Sequence, residues 1–172
     1  EIKRLRISYT SPEVLEDDIL YTLPENEMIP EAMMLEHQLA DSRDWGHTPL
    51  KLEELQQKAD GSGIRVAVLD TGCDLTHQDL KDRIVVSRDF TGSRSGASDV
   101  AGHGTHCAGI VAASVNGVGL IGSAPKASLY IGKVLGDNGS GYSSWIAAGI
   151  RWAIEQKVHI ISMSLGSSAP DN

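Results

Sequence analysis

An α/β fold built on a parallel sheet is the architecture this sequence predicts, and three features carry the prediction. The run "IRVAVL" at residues 64–69 is almost continuously apolar and rich in β-branched residues, as a strand buried on both faces requires. Two further runs, "ASLYIGKVL" (127–135) and "VHIISMSL" (158–165), are spaced by helical patterns, so strand and helix alternate. The chain has 172 residues, 41% of them hydrophobic, and no stretch approaches the roughly 20 apolar residues that cross a bilayer. It reads as soluble and globular, with one domain's worth of length and no internal repeat.

Taken in order, residues 1–44 are irregular. Pro12, Pro24 and Pro30 punctuate them, Glu16-Asp17-Asp18 makes an acidic cluster, and "EAMMLEHQLA" (31–40) is a short helical candidate. Two readings stay open for this segment: a solvated acidic extension, or a pro-segment-like stretch lying across the rest of the chain. A second short helix is expected over "PLKLEELQQKA" (49–59), stopped by Gly61-Ser62-Gly63. After the first strand, "GTHCAGIVAAS" (104–114) is rich in Gly and Ala and predicts a close-packed buried helix. "SSWIAAGIRWAIEQK" (143–157) has apolar residues at helical spacing, with Ser143 or Ser144 as N-cap. Right-handed crossovers would join the three strands.

The formal net charge of −8 is unevenly spread. Residues 1–60 carry 14 Asp and Glu against 6 Lys and Arg, whereas the rest of the chain carries nine of each. The acidity belongs to the N-terminal segment and argues against a nucleic-acid partner. Cys73 and Cys107 are too few for a disulfide scaffold and say little about compartment.

In open α/β sheets, chemistry sits beyond the carboxyl ends of the strands. Asp70 stands at the end of the first strand, in "VLDTGCD". Taken alone it reads as a turn-forming Asp before Thr71-Gly72. His103 opens the next helix after Gly102, and taken alone reads as a buried, hydrogen-bonded histidine. Together they say more, because a carboxylate can hold an imidazole in one tautomer and stabilise the imidazolium it becomes on taking a proton. Zinc is the competing reading: His103, His106 and Cys107 share a helix face. No second Cys or His cluster has ligand spacing, and no Glu follows the first histidine as an H-E-x-x-H helix requires.

In order and spacing, "VAVLDTGCD" (66–74), "GHGTHCAGIVAA" (102–113), "ASLYIGKVLGDNGSGYSSWIAAGIRWAI" (127–154) and "IISMSLGSS" (160–168) resemble the subtilisin-like serine endopeptidases. The likeness covers about residues 60–170, and "LDTGCD" and "EQKVHIISMSLG" are most similar to the intracellular bacterial branch. It implies a three-layer parallel-sheet fold, with residues 1–44 as extension and 45–172 as the N-terminal part of a catalytic domain. Asp70 would be the orienting carboxylate, His103 the general base and acid, and His106 structural. Substrate would bind as an extended strand between Gly139-Ser140-Gly141 and Ser164-Leu165-Gly166, so Ser164 is not the nucleophile.

The resemblance also implies a structural calcium ion held by Asp79, the Asn116 side chain and the carbonyls of Ser114, Val118 and Leu120, with one more ligand near Asp41. The alternative is an ordinary Gly-rich turn. Cys107 would sit behind the catalytic histidine and Cys73 beside the aspartate, which predicts sensitivity to mercurials. Ile146 and Tyr142 would wall an apolar subsite.

The family's nucleophilic serine, in a G-T-S-M-A-type segment, and the asparagine of its oxyanion hole do not occur within residues 1–172. The expectation is therefore a serine endopeptidase of which this chain supplies Asp and His, partnered by a C-terminal half and a polypeptide substrate. Residues 1–172 alone would be inactive. The alternative is a non-catalytic fragment that binds peptides. Under the endopeptidase resemblance, the stretch "YTLPENEMIPEAMMLEHQ" (21–38) would suit a pro-segment or extension that runs through the cleft and silences it. Neither nucleic acid nor membrane is an expected partner, and the compartment stays open, leaning to the cytoplasm.

Overall fold

The computed structural model describes residues 20–22, 41, 43 and 46–167, so the helical candidate at 31–40 lies outside the described residues. Among the described residues six strands and three helices follow in the order β1 (Leu20–Thr22), α1 (Leu52–Gln56), β2 (Arg65–Asp70), β3 (Ile84–Asp89), α2 (His103–Ala112), β4 (Ser128–Lys133), β5 (Ser140–Tyr142), α3 (Ser143–Glu155) and β6 (Ile160–Ser162).

Four strands form one parallel sheet in the order β3-β4-β2-β6. The sequence predicts three of them; β3, the added one, is an edge strand. Alternation along β2 divides the core. Val66 and Val68 point to one face, where they pack with Ala108 and Ala112 of α2 and with Leu129 and Ile131 of β4. Ala67 and Leu69 point to the other, against Ile146, Trp152 and Ala153 of α3. The result is three layers, helix–sheet–helix, as expected. Each fully buried Leu or Ile in these layers contributes about 1.5–3 kcal/mol relative to exposure.

Small residues let the layers close. α2 presents only Gly104, Cys107, Ala108 and Ala112 besides His103 as buried groups, so its axis can lie near the sheet. Trp152 fills the opposite layer, edge-on to Phe90 with ring centroids 5.8 Å apart.

Element boundaries shift from expectation for local reasons. α1 shortens to five residues because Lys51 adopts a left-handed φ of 53° just before it. The N-cap of α3 is Tyr142, not Ser143 or Ser144. Tyr142 ends β5 in extended conformation, and Ser143 is already helical. Lys157, at φ 56°, sits just beyond the C-terminal end of α3.

α2 lies on one face of the sheet and α3 on the other, and from the neighbouring strands β2 and β4 the chain departs in opposite directions, β2 toward β3 and β4 toward β6. The crevice at the carboxyl ends of β2 and β4 is thus the switch point of the sheet, where Asp70 and Lys133 end their strands.

Candidate active site

Asp70 is the last residue of β2 and only 1% exposed; His103 is the first residue of α2 and 8% exposed. Gly102 precedes it with φ 88°, a conformation that turns the chain sharply into the helix. The turn brings Asp70 Oδ1 and His103 Nδ1 to 2.7 Å. Thr71 donates its backbone N–H to the same Oδ1 at 2.7 Å. Asp70 Oδ2 is buried with no hydrogen-bond partner among the described residues. Burial pushes the Asp70 carboxyl above its ordinary range, against the hydrogen bonds from His103 and Thr71, and the negative charge of Asp99 adds to the rise.

Ligand-bearing atoms of Asp70, His103 and Cys107 lie within 4.8 Å of one another, and among the described residues His106 is outside that group. Cys107 Sγ is 3.8 Å from His103 Nδ1 and 3.9 Å from Nε2. Near-equal distances from both nitrogens, each long for a bond to sulfur, single out neither of them. That is a packing contact between sulfur and an aromatic ring one helical turn apart, and it is poor chelate geometry. Cys73 is fully buried and its thiol is pushed up to about 12, first by burial and then by the charge of Asp99.

The two expected edges flank the segment Leu20–Thr22. β5 pairs antiparallel with β1, matching Leu20 with Tyr142, Tyr21 with Gly141 and Thr22 with Ser140. On the other side Thr22 bridges Gly166. Gly139, at φ 75°, forms the turn that leads into β5, and Leu165 lines a cavity of about 260 Å³ with Tyr21, Ser143, Ile146, Ala147, Ile150 and Met163. Ser164 lies exposed between β6 and that bridge.

Around Asp79, 5% exposed, the loop 114–120 is folded back. Ser114 N–H donates to the Asp79 carbonyl at 2.9 Å, and Asn116 Nδ2 donates to Asp79 Oδ1 at 2.8 Å. Asn116 Oδ1 accepts the Val118 N–H at 3.1 Å, while Asp41 Oδ1 accepts the Asn116 N–H at 3.1 Å. Leu120 closes the loop, partly exposed.

Sequence reasoning missed Asp99, Thr71 and Lys133. Asp99 accepts five hydrogen bonds and links the β2 exit to the start of α2. Lys133, fully buried, donates to the carbonyls of Thr71 and of Ser98, the latter at 3.3 Å, and pairs with Asp137 at 3.0 Å. Asp99 carried one available signal: an aspartate just ahead of a helix start.

The Subtilase family matches residues 61–172. The chain belongs to the subtilase family. Its subtilase relatives include the major intracellular serine protease of Bacillus subtilis (strain 168), 56% identical over 111 residues, covering 62% of this chain and 35% of that protein. The intracellular serine protease of Paenibacillus polymyxa is 46% identical over 143 residues, covering 81% of this chain and 44% of that protein. Thermitase of Thermoactinomyces vulgaris is 41% identical over 128 residues, 74% of this chain and 46% of that protein. The chain thus spans less than half the length of these subtilases. Among the described residues no helix is long and apolar enough to cross a membrane.

Proposed function

We propose that this chain supplies the orienting carboxylate and the general base of a serine endopeptidase, Asp70 and His103, with the nucleophilic serine contributed by a further segment. The observation that carries this reading is the buried 2.7 Å contact between Asp70 Oδ1 and His103 Nδ1 at the carboxyl rim of the sheet. With Nδ1 bound to the carboxylate, Nε2 is the nitrogen that takes a proton from the nucleophile and returns it to the leaving amine. The carboxylate stabilises the imidazolium formed between those two steps. Its burial limits screening by water.

The substrate is an extended polypeptide. The pairing of Leu20–Thr22 between β5 and Gly166 supports this, because it matches a three-stranded arrangement in which a peptide is the middle strand. Ser140 and Gly141 offer one set of main-chain groups and Ser164-Leu165-Gly166 the other. The cavity beside Leu165 would take an apolar side chain. Residues 1–44 act in this reading as an extension that silences the groove, and 45–172 as the N-terminal part of the catalytic domain.

A calcium ion would be held by Asp79, Asn116, Asp41 and the carbonyls of Ser114, Val118 and Leu120. The residue types suit such an ion, since every side chain in the set bears an oxygen for a hard cation; Asn116 here turns its amide nitrogen to Asp79, so its Oδ1 would have to rotate inward to join the set. Bound there, calcium would tie the loop to the N-terminal segment.

The test is the full chain with its downstream segment. It should hydrolyse a peptide substrate and be labelled by a fluorophosphonate, and His103→Ala should abolish hydrolysis. Binding of peptides without labelling or turnover would replace this reading with a non-catalytic peptide-binding module.

A further inference from the structure

We infer that Asp99 is a positioning residue, a clasp that sets the distance between the aspartate and the histidine of the pair. This rests on the endopeptidase reading. Asp70 and His103 sit on different elements, β2 and α2, and nothing in either element alone sets their separation.

One carboxylate spans the gap. On the strand side, Asp99 Oδ1 accepts the Thr71 hydroxyl at 2.8 Å. Thr71 is fully buried, follows Asp70 directly, and gives that residue its backbone N–H. On the helix side, Asp99 Oδ1 accepts the N–H groups of Ala101 at 3.1 Å and Gly102 at 2.9 Å. Asp99 Oδ2 accepts the N–H and hydroxyl of Thr105 at 2.8 and 2.7 Å. The Thr71 hydroxyl also accepts the N–H of Gly104 at 2.9 Å. His103 is therefore bracketed at both neighbours by bonds that lead back to Thr71 or Asp99.

The arrangement explains a gap in α2. Its N-cap, Gly102, has no side chain, yet the first-turn N–H groups of Gly104 and Thr105 are capped by residues from outside the helix. An anion also suits the positive end of a helix dipole. Burial favours the neutral acid of Asp99, but the hydrogen bonds from Thr105, Thr71 and Gly102 outweigh it and hold the group ionised below the ordinary range.

Asparagine cannot substitute. Its single acceptor oxygen replaces two, and in either orientation its NH₂ would face backbone N–H donors, that of Thr105 or those of Ala101 and Gly102. In the full chain, Asp99→Asn should lower kcat about 10- to 100-fold, the order expected for an ångström-scale misplacement, with KM within about twofold. Thr71→Val, which deletes only the hydroxyl arm at nearly constant volume, should lose part of that, and Thr71→Ser should recover it. An Asp99→Asn protein with kcat within about twofold of the parent overturns the inference. If Asp99→Asn does not fold, as read by near-ultraviolet circular dichroism, the Thr71 pair decides: equal kcat in Thr71→Val and Thr71→Ser overturns it. A second readout keeps the two readings apart. The Nδ1 proton of His103, held by Asp70, should give a downfield NMR signal that Asp99→Asn weakens or removes. Its persistence counts against the clasp even if the parent proves to have no peptidase activity. Absent turnover and labelling in the parent count against the endopeptidase reading alone.

Discussion

Thr22 and Gly166 exchange both backbone hydrogen bonds, N–H of Thr22 to the Gly166 carbonyl at 3.2 Å and N–H of Gly166 to the Thr22 carbonyl at 3.4 Å. With β5 on the other side, this makes residues 20–22 the central strand of a small antiparallel arrangement. A tethered segment competes at high effective concentration with any free peptide for that place. Deleting residues 1–40 from the full chain, which leaves Asp41 in place, should therefore lower the apparent KM for a peptide substrate. If the strand occupies the groove about nine-tenths of the time, the drop is roughly tenfold. Steady-state kinetics on the deletion and the parent check this, and identical KM values with identical latency remove the idea.

The Asp70 carboxylate is a stability liability as well as a functional group. Its folded-state pKa is raised, first by burial. For a raised group the sign is that stability is fully present below the unfolded value and is lost as pH rises through the folded one. Above that folded value the ionised, half-partnered carboxylate thus costs stability. Asp70→Asn should lower turnover by about 10⁴-fold, as loss of the orienting carboxylate does in serine proteases. The same change should raise Tm by about 2–4 °C, equivalent to roughly 1 kcal/mol in a chain of this size. The gain should shrink as pH is lowered toward the carboxylate range. A lower Tm at pH 7 for the variant contradicts this account.

What the sequence revealed and what it hid divide along physical lines. β2, β4, α2 and α3 were legible because burial on both faces of the sheet imposes long apolar or small-residue runs. The Asp70–His103 pair was legible because each residue falls at the end of such a run, on the same rim. β3 was not, since only Ile84, Val85 and Val86 are apolar before Ser87-Arg88-Asp89 begins. An edge strand with one covered side needs no more. β1 and β5 escaped because "LYT" and "SGY" lie in no apolar run like the one around β6, and their pairing depends on which distant segments meet. The clasp was hidden for another reason: Asp99, Thr71 and Lys133 act through contacts between elements, which spacing along the chain does not encode.

The loop around Asp79 gives a third expected outcome. Asp41 and Asp79 each accept an N–H of Asn116, one from its backbone and one from its side chain, which leaves two carboxylates on the loop for a cation to engage. Added calcium should raise Tm and a chelator should lower it, by about 2.7 kcal/mol of stabilisation at 100-fold excess over Kd. Asp79→Ala should abolish that dependence. A Tm indifferent to calcium in the parent chain rules the ion out.

The two thiols should behave oppositely. Cys73 is fully buried with its thiol pushed up to about 12, so it stays protonated and unreactive at neutral pH. Cys107 Sγ lies within 4 Å of both imidazole nitrogens, where a bound mercuric ion would displace the ring from Asp70. Mercurials should inhibit the full chain, and Cys107→Val should confer resistance while Cys73→Val does not. Equal sensitivity of both variants would separate inhibition from the histidine.

Two glycines of α2 test how closely helix and strand must approach. A Cβ on Gly104 would collide with the Gly72 carbonyl oxygen, and would also lie 3.1 Å from both Gly72 N and Thr71 Oγ1. A Cβ on Gly109, one turn and a half further along the same helix, would meet nothing within 4 Å. Helix propensity favours alanine over glycine by up to about 1 kcal/mol at both sites. At Gly104 overpacking against backbone outweighs it, costing about 1–3 kcal/mol. Gly104→Ala should therefore lower Tm and, by pushing α2 off the β2 exit, slow turnover through a longer Asp70–His103 contact. Gly109→Ala should leave turnover alone and hold or raise Tm. Thermal melts and kcat on the two variants decide it, because propensity alone predicts the same sign for both and only the contact at Gly72 predicts opposite ones.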